Sequence, residues 1–421
     1  MDSSSLFHKF YIYSSQATNS PKLFLSTIRE LRKLQPLPVH AINLLEIKAR
    51  ILLGDMKQAG LLLEQARISP ESALQSFYQA QLDLLEIMLI SASSSSTDRI
   101  PEILSSAEQH LKQCGSKALE CEILVAKANA NPTEMDLTFF EDSLKQAVQL
   151  ALDNDLPDLM ISASLALIQV YQSHQLPNLA EREIQMLRSM IDKQQHRYRL
   201  THLLNQSAIN QMMLKNYPSA ELLLREAINE ANDHGFRIMA SSLYLNLGIC
   251  KMRMKELDES LIFYDTALEV LKTINCEHSN LAAKISGNKA NCLALMGDLA
   301  NAAATIRTTM QDYQSSGNEL QYHTHAVNLA DVLIELEDFT EAEKLLDKAI
   351  EYFAGISNHG YLQNAHLCKA RLYEVQQRYQ EAFGSMEELY QASQQYFREN
   401  FAKQNHRFQH RIEEMRTQYQ L

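Results

Sequence analysis

The stretch Tyr244-Leu245-Asn246-Leu247-Gly248, continued by Leu257-Asp258-Glu259-Ser260 and then by Tyr264 and Ala267-Leu268, decides the fold. It sets an aromatic residue, a small residue four places on, and a second small residue twelve later. A bulky residue and an alanine then follow at four and seven beyond that. At 3.6 residues per turn, the small positions let two antiparallel helices approach closely, and the bulky ones fill the groove between them.

The same frame recurs along the chain. The small residue opening the second helix falls at Ala180, Ala220, Ser260, Ala302, Ala342 and Ala382, in steps of 40, 40, 42, 40 and 40 residues. Ala227, Ala267 and Ala349 follow seven places later, and Ala208, Gly248, Ala290, Ala330 and Ala370 precede by twelve. Gly297-Asp298 and Glu337-Asp338-Phe339 supply the turns. Upstream the pattern is weaker but present: Phe140 with Leu144 and Ala147, Ile100 with Leu104 and Ala107, and Gly54-Asp55 with Ala59, Leu63 and Ala66. A first pair is expected at about Ser4 to Ser15 and Pro21 to Lys33.

This spacing resembles the tetratricopeptide repeat, with Tyr244, Leu247, Gly248, Ser260, Tyr264 and Ala267 on its signature positions and Lys251 in place of its turn-proximal aromatic. The resemblance implies an all-α, right-handed superhelical solenoid, here of about ten antiparallel helix pairs ending in a long helix. The period of 40 exceeds the roughly 34 residues usual for the family, so helices or loops must be longer. Expected divisions are 1–115 for degenerate N-terminal pairs or a cap, 116–396 for the solenoid and 397–421 for a C-terminal heptad helix.

Composition agrees with this architecture. Among 421 residues there are only 11 glycines and 9 prolines, which suits helices joined by short turns. A solenoid also escapes the size limit of a single core, because each repeat needs only its neighbours. The net charge of −12 argues against a general nucleic-acid binder. The apolar run Leu82 to Ile90 is broken by Asp83 and Glu86, so no membrane span is expected, and the N-terminus reads as no signal segment. Cys114, Cys121, Cys250, Cys276, Cys292 and Cys368 show no metal spacing, which fits buried thiols in the cytoplasm.

No phosphate loop, dinucleotide fingerprint, nucleophile elbow or zinc-protease motif occurs, and no Gly-Gly-(Asp/Glu)-Glu-Phe run. His406 and His410 share a helix face but lack a third ligand. The chain is therefore expected to be no enzyme and to hold no cofactor or metal. It should instead bind a peptide or a protein.

The resemblance puts the first helix of each pair on the concave surface. Asn246, Asn288 and Asn328 each stand two places before the small residue of that helix. Their amides offer one donor side and one acceptor, enough to hold an extended peptide whatever its sequence. Asn205, Arg253, Lys284, Asn291, Asp331 and Arg371 lie on the same helices, and Lys284 or Arg371 could receive a terminal carboxylate. The other reading is that the asparagines tie helix to helix. Met212, Met213 and Met252 read either as groove residues or as core filling.

Phe401, Phe408 and Met415 are seven apart, with Ile412 and Tyr419 interleaved and Asn405 polar among them. That is a heptad seam, suited to a homodimer or to packing back on the last repeat. The layout resembles the sensory part of bacterial tetratricopeptide-repeat diguanylate cyclases, which implies relay to an output domain beyond Leu421. The alternatives are a stand-alone regulator of the peptide-pheromone type, or an assembly chaperone for a secretion or pilus system.

Overall fold

The computed structural model describes residues 3–34, 36–67, 75–93, 99–130, 137–192, 195–276, 280–315, 317–356 and 358–398. Their helices run in pairs: α1 (Ser3–Asn19) and α2 (Pro21–Leu34), α3 (Val39–Leu53) and α4 (Met56–Arg67), α5 (Gln75–Ser93) and α6 (Ile100–Cys114). Next come α7 (Lys117–Ala130) and α8 (Leu137–Asp153), α9 (Pro157–Ser173) and α10 (Pro177–Met190), α11 (Arg197–Met213) and α12 (Tyr217–His234). The rest are α13 (Arg237–Arg253) and α14 (Leu257–Thr273), α15 (Asn280–Leu295) and α16 (Leu299–Ser315), α17 (Glu319–Glu335) and α18 (Phe339–Gly355). Last stand α19 (His359–Val375) and α20, residues 379–398. The described residues thus form ten helix pairs and contain no strand. The seam from Phe401 to Tyr419 and both histidines near it lie outside them. The chain divides into two compact units, Met1–Ile285 and Ser286–Leu421.

The repeated small residues do the work their spacing implies. Ala180, Ala220, Ser260, Ala302 and Ala342 are wholly buried, as are Ala208, Ala290 and Ala330. A Cβ at Gly248 would stand 2.5 Å from Tyr264 Cε1, so the ring occupies the space that glycine leaves. First and second helices are buried differently. Twelve residues of α9 are buried, all round the helix, whereas α14 buries one stripe of Ser260, Tyr264, Ala267 and Leu271. First helices are flanked on more sides; second helices show one face to solvent.

One turn recurs inside seven pairs. A residue with positive φ stands five places before the small residue: Gly54, Gln175, Lys215, Lys255, Gly297, Glu337 and Gln377. The amide after it donates to the carbonyl five residues back, as from Glu256 to Lys251 at 3.0 Å and from Asp338 to Leu333 at 2.9 Å. This bond is the signature of a Schellman cap, and it offsets the strain of the left-handed residue, which costs about 1–2 kcal/mol without glycine.

The residue accepting that bond also links neighbouring pairs. Tyr171 donates to Glu141 at 3.0 Å, Gln211 to Glu181 at 3.4 Å, and Tyr373 to Glu343 at 2.8 Å. Lys251 meets Glu221 at 3.0 Å in the same way. Where this position holds Leu333, the glutamate's place in the preceding pair is taken by Ala303. The lysine that broke the repeat signature is thus one polar version of a paired position.

In the N-terminal unit the early pairs return onto later ones. Helix α1 packs on α11 and α3 on α13. Gly54 at φ 83° faces Ile274, where an added Cβ would lie 2.9 Å from the isoleucine Cγ2. Glycine there meets both the left-handed turn and the close approach.

Candidate functional site

The inward-facing helices of the N-terminal unit enclose two cavities, of about 680 and about 540 Å³. The larger is lined mainly by α1, the start of α2, residues 155–159 and the start of α11. The smaller is lined by first helices from α3 to α15, including Leu84, Met88, Val125, His202 and Ser242. Thr18, Lys48, Leu159 and Arg199 belong to both, so they form a waist between them. Cavities of this size suit a small molecule or a short peptide segment.

The walls carry a polar network. Tyr11 Oη donates to Glu122 Oε2 at 2.8 Å, and Gln81 donates to the same oxygen. Lys48 Nζ donates to Ser14 Oγ at 2.7 Å, and Asn19 Nδ2 to Asp158 Oδ1 at 3.3 Å. Burial raises the Tyr11 and Tyr198 pKa values and lowers that of His202 to about 4, with Arg199 adding to the last. His202 is therefore neutral at pH 7, and Gln206 Nε2 lies 3.2 Å from its Nε2.

This gives the fold an acid-sensitive point. The unfolded chain holds the imidazole near its ordinary 6.5 and the folded chain near 4, so between these values the unfolded state binds more protons. Stability should fall by about 3 kcal/mol from this group as the pH drops through that window. Urea denaturation of His202→Gln should show a flatter pH profile there than the parent; an identical profile would contradict the assignment.

The sequence-expected site residues are distributed over both units. In the N-terminal unit Asn205 lines the smaller cavity, and its Oδ1 accepts from Asn246 Nδ2 at 2.8 Å. That pair ties adjacent helices. Arg253 and Lys284 are exposed. In the C-terminal unit Asn288 and Asn328 are half-buried and Asn291 exposed, and neither Asn291 nor Asn328 makes a side-chain hydrogen bond among the described residues. Arg371 is ion-paired with both Asp331 and Glu335, so two carboxylates already hold it. Met212, Met213 and Met252 are half-buried, and Tyr264 Oη points to Met252 Sδ at 3.9 Å. All six cysteines are free, five of them buried.

Sequence reasoning missed Lys48, Arg199, Tyr11 and Glu122, because these sit in or against the degenerate early pairs. One signal was available. Glu46, Lys48 and Arg50 interrupt the apolar run from Leu44 to Leu53, and charges inside such a run have to be accommodated in the interior. Glu46 is buried and salt-bridged to Arg32 at 2.6 Å and Arg50 at 2.8 Å; Lys48 faces the cavities.

The helix order, the repeated caps and the buried small residues define a helical solenoid of the tetratricopeptide type. Solved structures share this fold. A Rap protein complexed with competence and sporulation factor superposes with a TM-score of 0.55 at 16% identity, over 82% of this chain and 99% of that one. The apo quorum sensor NprR from B. thuringiensis gives 0.51 at 14%, over 78% and 96%. A signal transduction ATPase from Pyrococcus horikoshii with a tetratricopeptide repeat sensor gives 0.56 at 12%, over 92% of this chain and 54% of that one. No protein-family model matches the chain, and no curated protein matches it by sequence. No helix among the described residues is long and apolar enough to cross a membrane.

Proposed function

We propose that the chain is a cytoplasmic, non-catalytic regulator whose N-terminal unit binds a peptide segment in its interior. The observation that carries this is the pair of cavities sharing Thr18, Lys48, Leu159 and Arg199, the smaller lined by first helices, both walled by apolar residues and by amide and charged groups. A Rap protein complexed with competence and sporulation factor and the quorum sensor NprR share this fold, which supports a regulator that responds to a bound signal. A randomised heptapeptide pool should contain members that the full chain retains and that Ser242→Trp, whose indole would obstruct the smaller cavity, does not. Equal retention by both would contradict an interior site.

The reading includes self-association through α20. Tyr379, Phe383, Met386, Tyr390 and Phe397 are 67, 65, 47, 63 and 69% exposed. Their spacing of four, three, four and seven draws one apolar stripe opposite the buried Ser385 and Ala392. Such a stripe is the half-seam of a helix pair. Analytical ultracentrifugation should give a dimer for the full chain and a monomer for Phe383→Glu combined with Tyr390→Glu. A monomeric parent would remove this part.

A further inference from the structure

The waist of the N-terminal unit's cavities holds two cations, from different helices, with no ion-pair partner. Lys48 on α3 has one hydrogen bond, to Ser14, and no carboxylate lies within 4 Å of its ammonium or of the Arg199 guanidinium among the described residues. Arg199 Nε is buried and donates to nothing, while its guanidinium carbon lies 5.7 Å from the Tyr198 ring centre. Burial is the main influence lowering the Lys48 pKa; Glu122 opposes it, Arg199 adds to it and Asp158 opposes it.

Both residues are half-buried, and each cation's field acts against the other's charge; cations partly removed from water are found paired unless something else supplies the charge. The nearby carboxylates are already engaged: Glu122 accepts from Tyr11 and Gln81, and Asp158 from Asn19. The other titratable groups on the walls are Asp155, His196, His202, Tyr11, Tyr198 and Cys121, of which His202 is neutral and burial raises the pKa values of Tyr11, Tyr198 and Cys121. Glu122 and Asp158 match the two cations in number without lying within 4 Å of either, so the waist lacks a contact anion rather than net negative charge, and a singly charged carboxylate fits it better than a phosphate dianion. The ready donors are the Lys48 ammonium and the idle Arg199 Nε–H.

We propose that Lys48 and Arg199 form the seat for a carboxylate of the bound peptide, either its C-terminus or an aspartate or glutamate side chain. This rests on the peptide reading of the same interior. The test uses the full chain and two randomised heptapeptide pools, one with free C-terminal acids and one amidated. The free-acid pool should be retained about tenfold better, as expected for a desolvated charge contact. Retained free acids lacking Asp and Glu would identify the terminus; retained amides rich in Asp and Glu would identify a side chain.

Lys48→Met and Arg199→Met should each abolish the preference while leaving the melting temperature within a few degrees. Equal retention of the two pools with no enrichment of Asp or Glu among the retained peptides overturns the seat and leaves the peptide reading standing. Retention of neither overturns the peptide reading, and the seat is then decided by acetate against chloride at equal ionic strength. A melting temperature raised by acetate in the parent and not in Lys48→Met keeps it; no difference overturns it.

Discussion

Replacing Tyr264 by alanine is expected to lower the unfolding free energy of the N-terminal unit by about 3–5 kcal/mol, the range for truncating a fully buried aromatic. The ring has no exposed surface and lies where Gly248 leaves room between α13 and α14. Ser260 Oγ closes the same contact by donating to the Gly248 carbonyl at 2.8 Å. Gly248→Ala should cost about 1–3 kcal/mol by overpacking, because the new methyl would stand 2.5 and 2.7 Å from two ring carbons. The two effects should not add. With Tyr264 shortened to leucine, the alanine at 248 should cost less than half as much, read by urea denaturation. Additive costs would mean that the glycine is needed for something other than the ring.

The second large effect concerns Lys251. Its ammonium is 3.0 Å from Glu221, 2.6 Å from Glu256 and 3.0 Å from Glu259. Burial opposes the charge, yet hydrogen bonds to Glu256, Glu221 and Glu259 raise its pKa. Burial likewise works against the Glu221 carboxylate, and hydrogen bonds from Arg225 and Lys251 draw its pKa below the ordinary range. Two of the three glutamates are substantially exposed, so water screens the cluster and the cost of Lys251→Met should be about 1–3 kcal/mol, below that of a deeply buried pair.

The pH dependence has a definite sign. Glu221, with its folded pKa depressed, contributes stability above about pH 4 that is lost as acid protonates it; Lys251, with its pKa raised, contributes below about pH 10 and loses it in alkali. The gap between parent and Lys251→Met should be widest from about pH 5 to 10. Lys251→Tyr should be nearly neutral, since tyrosine makes the same link at Tyr171 and Tyr373. Combining Lys251→Met with Glu221→Leu should recover much of the loss, because it removes the half of the pair left without its partner. A methionine variant no worse than the tyrosine variant would remove the argument.

The spacing of small residues carried the architecture because close helix approach admits few side chains. Ala220, Ser260 and Ala302 could be read from the sequence alone for that reason. The turn was half legible. Gly297 announces it, but Lys215, Lys255 and Glu337 take the same left-handed geometry, and only the backbone bond that follows them shows why they can. Lys251 looked like a defect, because its compensation lies thirty residues earlier at Glu221. The interior site was the least legible. Its cations come from a degenerate pair and from the sixth pair, and they meet only because α1 returns onto α11. Asn246, chosen for its register, spends a donor on Asn205, a contact that register alone could not separate from ligand binding.

The central claim is that a peptide occupies the interior of the N-terminal unit. Photocrosslinking tests it most directly, with a retained heptapeptide carrying benzoylphenylalanine, which reacts readily at methionine. Met88 and Met239 line the smaller cavity, whereas Met186 and Met190 on α10 are exposed. Adducts at Met88 or Met239, suppressed in Ser242→Trp, are the predicted result. Adducts confined to Met186 and Met190, or unchanged by the tryptophan, would contradict it.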